Sequence, residues 1–144
     1  MATTAQYAVQ PTLESVTFST ANTARTGATG SYTLVCSGPS TAAANGVGKR
    51  IERVTITRSV PTTPTLATVV CFFLSYDSGA TKFLVSEWIV TSYTASTSSA
   101  QVVVFAADLT GLVLPGATGG NAVQLYASTQ AATAVNVTVL SALL

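Results

Sequence analysis

Read for alternation alone, the chain is a succession of short β-type runs. Residues 14–19 place Val16 and Phe18 on one parity and Ser15, Thr17 and Ser19 on the other, the period of a strand with one solvated face. Residues 135–140 behave the same way, with Val135, Val137 and Val139 expected inward and Asn136 and Thr138 outward. Further strands are predicted at 31–36, 50–60, 66–75, 82–91, 101–109 and 123–127, with a short apolar piece at Leu112–Leu114 ended by Pro115-Gly116. In 50–60, Val54 and Ile56 share a parity and Ile51 falls on the other, which predicts a bulge or an edge near Glu52. Loops rich in Gly, Pro, Ser and Thr separate these runs, and no stretch keeps a helical period over the length of an ordinary helix.

The centre of the chain departs from simple alternation. Residues 66–75 and 82–91 read as a long hairpin around Tyr76-Asp77-Ser78-Gly79-Ala80, where Asp and Gly supply the turn. In the first arm Val69, Cys71 and Phe73 lie on one face and Val70, Phe72 and Leu74 on the other. In the second arm Phe83, Val85 and Ile89 share one parity and Leu84, Trp88 and Val90 the other. A strand apolar on both faces is covered on both faces. One cover is the domain core, and the other is expected to be a partner copy that contacts Phe72, Leu74, Leu84 and Trp88. The apolar chain end from Val139 to Leu144 points the same way.

These elements predict an all-β protein: an eight-stranded, jelly-roll-like antiparallel β-sandwich over residues 13–144, preceded by an extended arm over residues 1–12. Immunoglobulin-like and barrel topologies stay open, because strand order is not written in the pattern. A length of 144 residues fits one domain. Only 8% of the residues are charged, against about 25% in ordinary soluble domains. With 48% hydrophobic residues, the composition is not that of a disordered chain. No run approaches the ~18 apolar residues that span a bilayer, and the first residues lack the basic and apolar regions of a secretory signal.

The chemistry is sparse. There is no histidine, which removes Ser-His-Asp and Cys-His catalysis and the commonest transition-metal ligand. The five acids, Glu14, Glu52, Asp77, Glu87 and Asp108, form no calcium-loop pattern. Glu87 beside Trp88 is the one acid–aromatic neighbourhood, and adjacent strand residues face opposite sides, so it makes a poor glycosidase site. Asp77 reads as a turn former. The glycine-rich stretches lack the Lys-Ser/Thr ending of a phosphate-binding loop. Cys36 and Cys71 have no metal-type spacing and read as buried free thiols, with a disulfide of about 3 to 4 kcal/mol as the other option. No catalytic residue, metal or cofactor is predicted. Four of the six basic residues fall at Lys49, Arg50, Arg53 and Arg58. They read as a solvated edge paired locally with Glu52, or as contacts to an acidic partner. A net charge of +1 makes no electrostatic case for nucleic acid.

The phrases STANTARTGATG, GVGKRIERVTI, VVCFFLSYDSGATKFLVSEWIVT, GLVLPGA and LYASTQAATAVNVTV, in this order, resemble small proteins encoded among the virion genes of tailed bacteriophages. The resemblance spans residues 19 to 140. It implies a capsid decoration (cement) protein: a β-rich homo-oligomer, typically a trimer, on the outside of the shell, with the major capsid protein as partner. On that reading Tyr7, Val9 and Pro11 of the arm, with Arg50 and Arg53, contact the capsid. The alternative is a tail- or fibre-associated receptor-binding module, which exposes clustered loop aromatics; Tyr93 and Tyr126 are the hints here. A carbohydrate-active enzyme centred on Glu87 is a distant third. Virion exterior, no membrane and no nucleic acid follow as expectations.

Overall fold

The computed structural model describes residues 11–25, 29–40, 48–58, 67–92, 103–117 and 121–144. Nine strands appear in these segments: β1 (Pro11–Phe18), β2 (Thr33–Ser37), β3 (Gly48–Arg58), β4 (Thr68–Ser75), β5 (Phe83–Val90), β6 (Val104–Phe105), β7 (Val113–Pro115), β8 (Gln124–Thr129) and β9 (Val135–Leu143). They form two antiparallel sheets packed face to face, a β-sandwich. One sheet runs β1-β9-β3-β6, with β7 also on β3, and the other runs β2-β8-β4-β5.

Alternation drives the packing. Val135, Val137 and Val139 of β9 point inward against Val54 and Ile56 of β3, and all five are buried in the core. From the other sheet come Val70, Phe72 and Leu74 of β4, Leu125 and Ala127 of β8 and Val90 of β5. Burying each of these side chains stabilises the fold by roughly 1.5 to 3 kcal/mol. The bulge expected near Glu52 is present: Ile51 pairs with Ser141 and Arg53 with Leu140, leaving Glu52 as the extra residue.

Three expectations need correction. The strand predicted at 14–19 starts at Pro11, whose partner is Ala142. Proline is tolerated at the first residue of an edge strand, so residues 11 and 12 belong to the sheet; the rest of the expected arm, residues 1–10, lies outside the described residues. Of the strand predicted at 101–109, residues 101 and 102 lie outside the described residues, and the rest is a strand at Val104–Phe105 followed by a 3-10 turn at Ala107–Leu109. There the Leu109 and Thr110 amides bond to the Ala106 and Ala107 carbonyls, and Gly111 at φ 85° ends the turn. The apolar piece at 112–114 is a strand, β7, which lies on Gly48–Arg50 of the same β3 edge. Two short strands thus replace one long one.

Candidate interaction surface

The outward side of β4 decides what the hairpin is for. Cys71 and Phe73 point away from the core and are nonetheless fully buried. Their cover comes from the same chain. Tyr32 meets Phe73 edge-to-face, with ring centroids 4.9 Å apart at 85°. Lys82 is buried, with its ammonium 4.8 Å from the Tyr32 ring centroid and 5.0 Å from that of Tyr126. Such cation–ring contacts add attraction where water is excluded. The ammonium also donates to the Gly79 carbonyl. Over Cys71, the Glu87 carboxylate accepts from the thiol at 3.4 Å and is paired with Arg25 at 3.0 Å. With the Gln130 amide turned so that its oxygen faces the guanidinium, Arg25 also donates to it at 2.9 Å.

The turn that brings Lys82 into place is built as its sequence predicts. Ser78 has φ 57° and Gly79 φ 87°. The Asp77 carboxylate accepts from the Thr81 amide at 2.8 Å and from the Ser75 hydroxyl at 2.8 Å. These bonds, that from Thr81 first, hold the Asp77 carboxyl down at about 2. A Cβ on Gly79 would come within 2.3 Å of the Tyr126 hydroxyl, so only glycine lets the turn close on that ring.

The residues expected to meet a partner copy fall in different environments. Phe72 and Leu74 are core residues and are out of reach of a second chain. Trp88 packs against the core, and its indole N–H donates to Ser86 at 2.8 Å and Asp108 at 2.9 Å. Leu84 sits half-buried opposite Phe73. The residues left in solvent are Phe83, Val85 and Ile89, 54%, 42% and 68% exposed. All three are on β5, the outermost strand of its sheet among the described residues. The second hairpin arm is therefore not covered on both faces. A bulge at Val85 explains why parity misgroups them: Phe72 pairs with Ser86 and Phe73 with Leu84, so β5 slips by one residue. Beside Ile89, a shallow cleft of about 260 Å³ opens between Ala67, Val69, Gln130 and Ala131.

The basic cluster disperses. Lys49 is buried and pairs with Glu14 at 2.8 Å. Arg58 is buried and donates to Thr133 and to the carbonyls of Val90 and Thr91, tying β3 to the end of β5. Arg50 pairs with Glu52 at 2.7 Å, as the local reading of this cluster expects. Arg53 alone of the four is exposed without an ion pair among the described residues. Pro11 is exposed at the start of β1; Tyr7, Val9 and Tyr93 lie outside the described residues. Tyr126 is held against Lys82 and Gln124 and is no exposed platform. Glu87 and Trp88 face opposite sides of β5, one on Cys71 and the other on Asp108.

Cys36 and Cys71 are free and buried. Cys36 points into the core and Cys71 out of it, so the two thiols occupy opposite sides of one sheet. Burial first, then the neighbouring Glu14, pushes the Cys36 thiol up to about 12. Burial and Glu87 push Cys71 up to about 11. Neither is an activated nucleophile. Among the described residues, no group of three or more His, Cys, Asp and Glu side chains is placed to hold a metal ion, and no helix is long and apolar enough to cross a membrane.

The outer face of the other sheet is of another kind. Ser15, Thr138 and Thr55 form one row across β1, β9 and β3, and Thr17, Asn136 and Thr57 form the next. Ser15 and Thr17 bond to Asn136 at 3.1 and 3.3 Å. These rows are solvated and uncharged; the next row on the same face is Leu13, Leu140 and the exposed Arg53. Leu13, Phe105 and Val113 of the first sheet are exposed as well, singly, in addition to Phe83, Val85 and Ile89 on β5. Comparison with protein-family models, with curated proteins and with solved structures finds no match.

Proposed function

We propose that this chain is a non-enzymatic virion component of a tailed bacteriophage, a decoration protein that binds the exterior of the major capsid shell and stabilises it. The observation that carries the reading is the balance of the surface. Most of its few charges are paired or buried, while the β5 edge presents Phe83, Val85 and Ile89 to solvent. A surface so poor in free charge has little to keep copies apart, and contiguous exposed apolar groups mark contact sites. The virion-gene resemblance names the assembly. The strand orders β1-β9-β3-β6 and β2-β8-β4-β5 support a jelly-roll reading, an architecture found among viral capsid and lectin domains, although fold by itself does not fix function.

The mechanism is passive. A protein that binds only the assembled shell stabilises it by mass action, by about 2.7 kcal/mol per site at a hundred times Kd. The test is co-sedimentation with undecorated capsids of the phage that encodes the chain, followed by thermal disruption of the loaded shells. Saturable binding and a raised disruption temperature are expected. Failure to bind, together with retention on a glycan array, would establish the receptor-binding alternative instead. The arm is tested by removing residues 1–10. The cut must stop there, because Pro11 and Thr12 pair with Ala142 and Ser141, and the Thr12 and Ser141 hydroxyls are 2.7 Å apart. Capsid binding is expected to be lost with the fold intact.

A further inference from the structure

We propose that the outer face of the sheet β1-β9-β3-β6 binds acidic oligosaccharides of the uronate or sialate kind. Phe105 is the stacking platform, Thr55, Thr57, Asn136 and Thr138 meet the sugar hydroxyls, and Arg53 takes the carboxylate. The inference does not rest on the capsid reading. It also places a glycan site away from the tyrosines expected to mark one, since Tyr126 is held against Lys82 and Gln124.

Register brings these groups together. Thr55 pairs with Thr138 on one side and with Phe105 on the other, so Ser15, Thr138, Thr55 and Phe105 form one row across four strands. Asn136 and Thr57 lie in the row to one side, and Arg53 in the row to the other. With strands about 4.8 Å apart and alternate residues about 6.7 Å apart, the patch from Phe105 to Thr138 and from Arg53 to Thr57 measures about 10 by 13 Å, the footprint of a short oligosaccharide. Phe105 is 53% exposed. The negative face of an aromatic ring attracts the weakly positive C–H groups that one side of a sugar ring presents.

The polar groups are unpartnered and held in place. The Asn136 side-chain oxygen accepts from Ser15 at 3.1 Å and from Thr17 at 3.3 Å. Its amide is thereby fixed, and both N–H donors are without a protein partner among the described residues. The Thr55 and Thr57 hydroxyls bond to no protein group there either. Branching at Cβ makes threonine side chains stiff, and groups that are already ordered lower the cost of binding.

Charge selects the class of sugar. Arg53 is exposed and without an ion pair among the described residues, while Glu52 beside it is taken by Arg50 and Glu14 by Lys49. No acid stands in the three rows, so an incoming carboxylate meets a guanidinium and no like charge. Such a pair forms two parallel N–H to oxygen bonds. One cation is too few for a nucleic acid, which is held through several phosphate contacts. A protein partner favours a contiguous apolar centre, and within this patch one ring stands among hydroxyls.

The test applies the full chain to an array of uronate and sialate oligosaccharides, each beside its methyl ester, which keeps the sugar and removes the charge. Titration calorimetry then measures the members retained. Binding of at least one acidic member is expected, weakened about tenfold or more in its ester. Phe105→Ala is expected to lose binding and Phe105→Tyr to keep it. Arg53→Gln is expected to bind acid and ester alike. Both positions are exposed, so thermal midpoints should stay near that of the wild type, and Ile89→Lys on β5 should bind as the wild type does. Retention of no acidic member, equal affinity for acid and ester, binding unchanged in Phe105→Ala, or preference for a single-stranded oligonucleotide over every acidic sugar would each overturn the proposal. Capsid co-sedimentation of Phe105→Ala reports separately on the decoration role.

Discussion

Replacing Phe73 by alanine tests whether the hairpin's outer side is sealed by its own chain. Phe73 is fully buried although it points away from the core. Its ring is held by Tyr32 at 4.9 Å. Truncating a buried phenylalanine costs about 3 to 5 kcal/mol, the transfer of the ring plus the cavity left behind. The edge-to-face contact, worth roughly 0.5 to 1.5 kcal/mol, places Phe73→Ala at about 4 kcal/mol. With a urea m-value of about 2 kcal/mol/M, the midpoint should fall by about 2 M. The decisive comparison is dilution. If a partner copy covered Phe73, each tenfold dilution would change the stability difference between wild type and variant by up to about 1.4 kcal/mol. If Tyr32, Lys82 and Tyr126 cover it, that difference stays constant on dilution. Urea unfolding followed by tryptophan fluorescence at two protein concentrations reads both quantities. A loss below about 1 kcal/mol, or a difference that shrinks on dilution, would refute intramolecular cover.

Gly79→Ala should destabilise the fold by about 2 kcal/mol or more, because φ is 87° and the new Cβ meets the Tyr126 hydroxyl at 2.3 Å; an unchanged thermal midpoint would contradict the turn geometry. Asp77 is held at about 2, below its ordinary 3.8, so its contribution is complete above about pH 4 and fades as pH falls toward 2. Urea midpoints of the wild type should drop more steeply across that window than those of Asp77→Asn, and parallel curves would count against the Thr81 and Ser75 bonds. Cys36 and Cys71 are pushed up to about 12 and about 11. A chromogenic disulfide reagent at about pH 8 should find no reactive thiol until the chain unfolds. The same shifts make stability complete below about pH 9 and lost as pH rises through the folded values; rapid stoichiometric labelling of the native protein would exclude both claims.

How far the sequence could be read depended on whether neighbouring residues decide a position. In Val135 to Val139 each side chain's fate follows from the next one along, and the observed faces match. The Glu52 bulge was legible for the same reason, since Ile51 breaks parity within five residues of Ile56. The Asp77-Ser78-Gly79 turn carries its own chemistry. The run Val69 to Leu74 is different: apolar on both parities, it announces two covers without naming them. Its outer cover is assembled from Tyr32, Lys82 and Tyr126, brought together by pairing between β2, β8 and β4. Lysine is the residue least expected there, and it is buried because two rings and the Gly79 carbonyl replace water around its ammonium. No periodicity reports such a contact.

The same blindness moved the contact surface. Counting by twos along β5 groups Phe83, Val85 and Ile89 on one face, but the extra residue at Val85 puts Phe83 opposite Leu74 and Ile89 opposite Val69, on different faces. What unites the three is exposure along an edge, a property of sheet order that a single strand does not encode. Charge leads to the same strand. Glu14 and Lys49, Glu52 and Arg50, and Glu87 and Arg25 are paired, Arg58 and Lys82 are buried, and Asp77 is bound within its own turn. Most of the chain's sparse charge is thus spent within the fold, with Arg53 left exposed, and the hydroxyl rows of β1, β9 and β3 face water while β5 exposes Phe83, Val85 and Ile89 around the paired Glu87. Of the apolar surplus read from the sequence, the larger share seals the hairpin within one chain, and three side chains of β5 with the cleft beside Ile89 are left exposed.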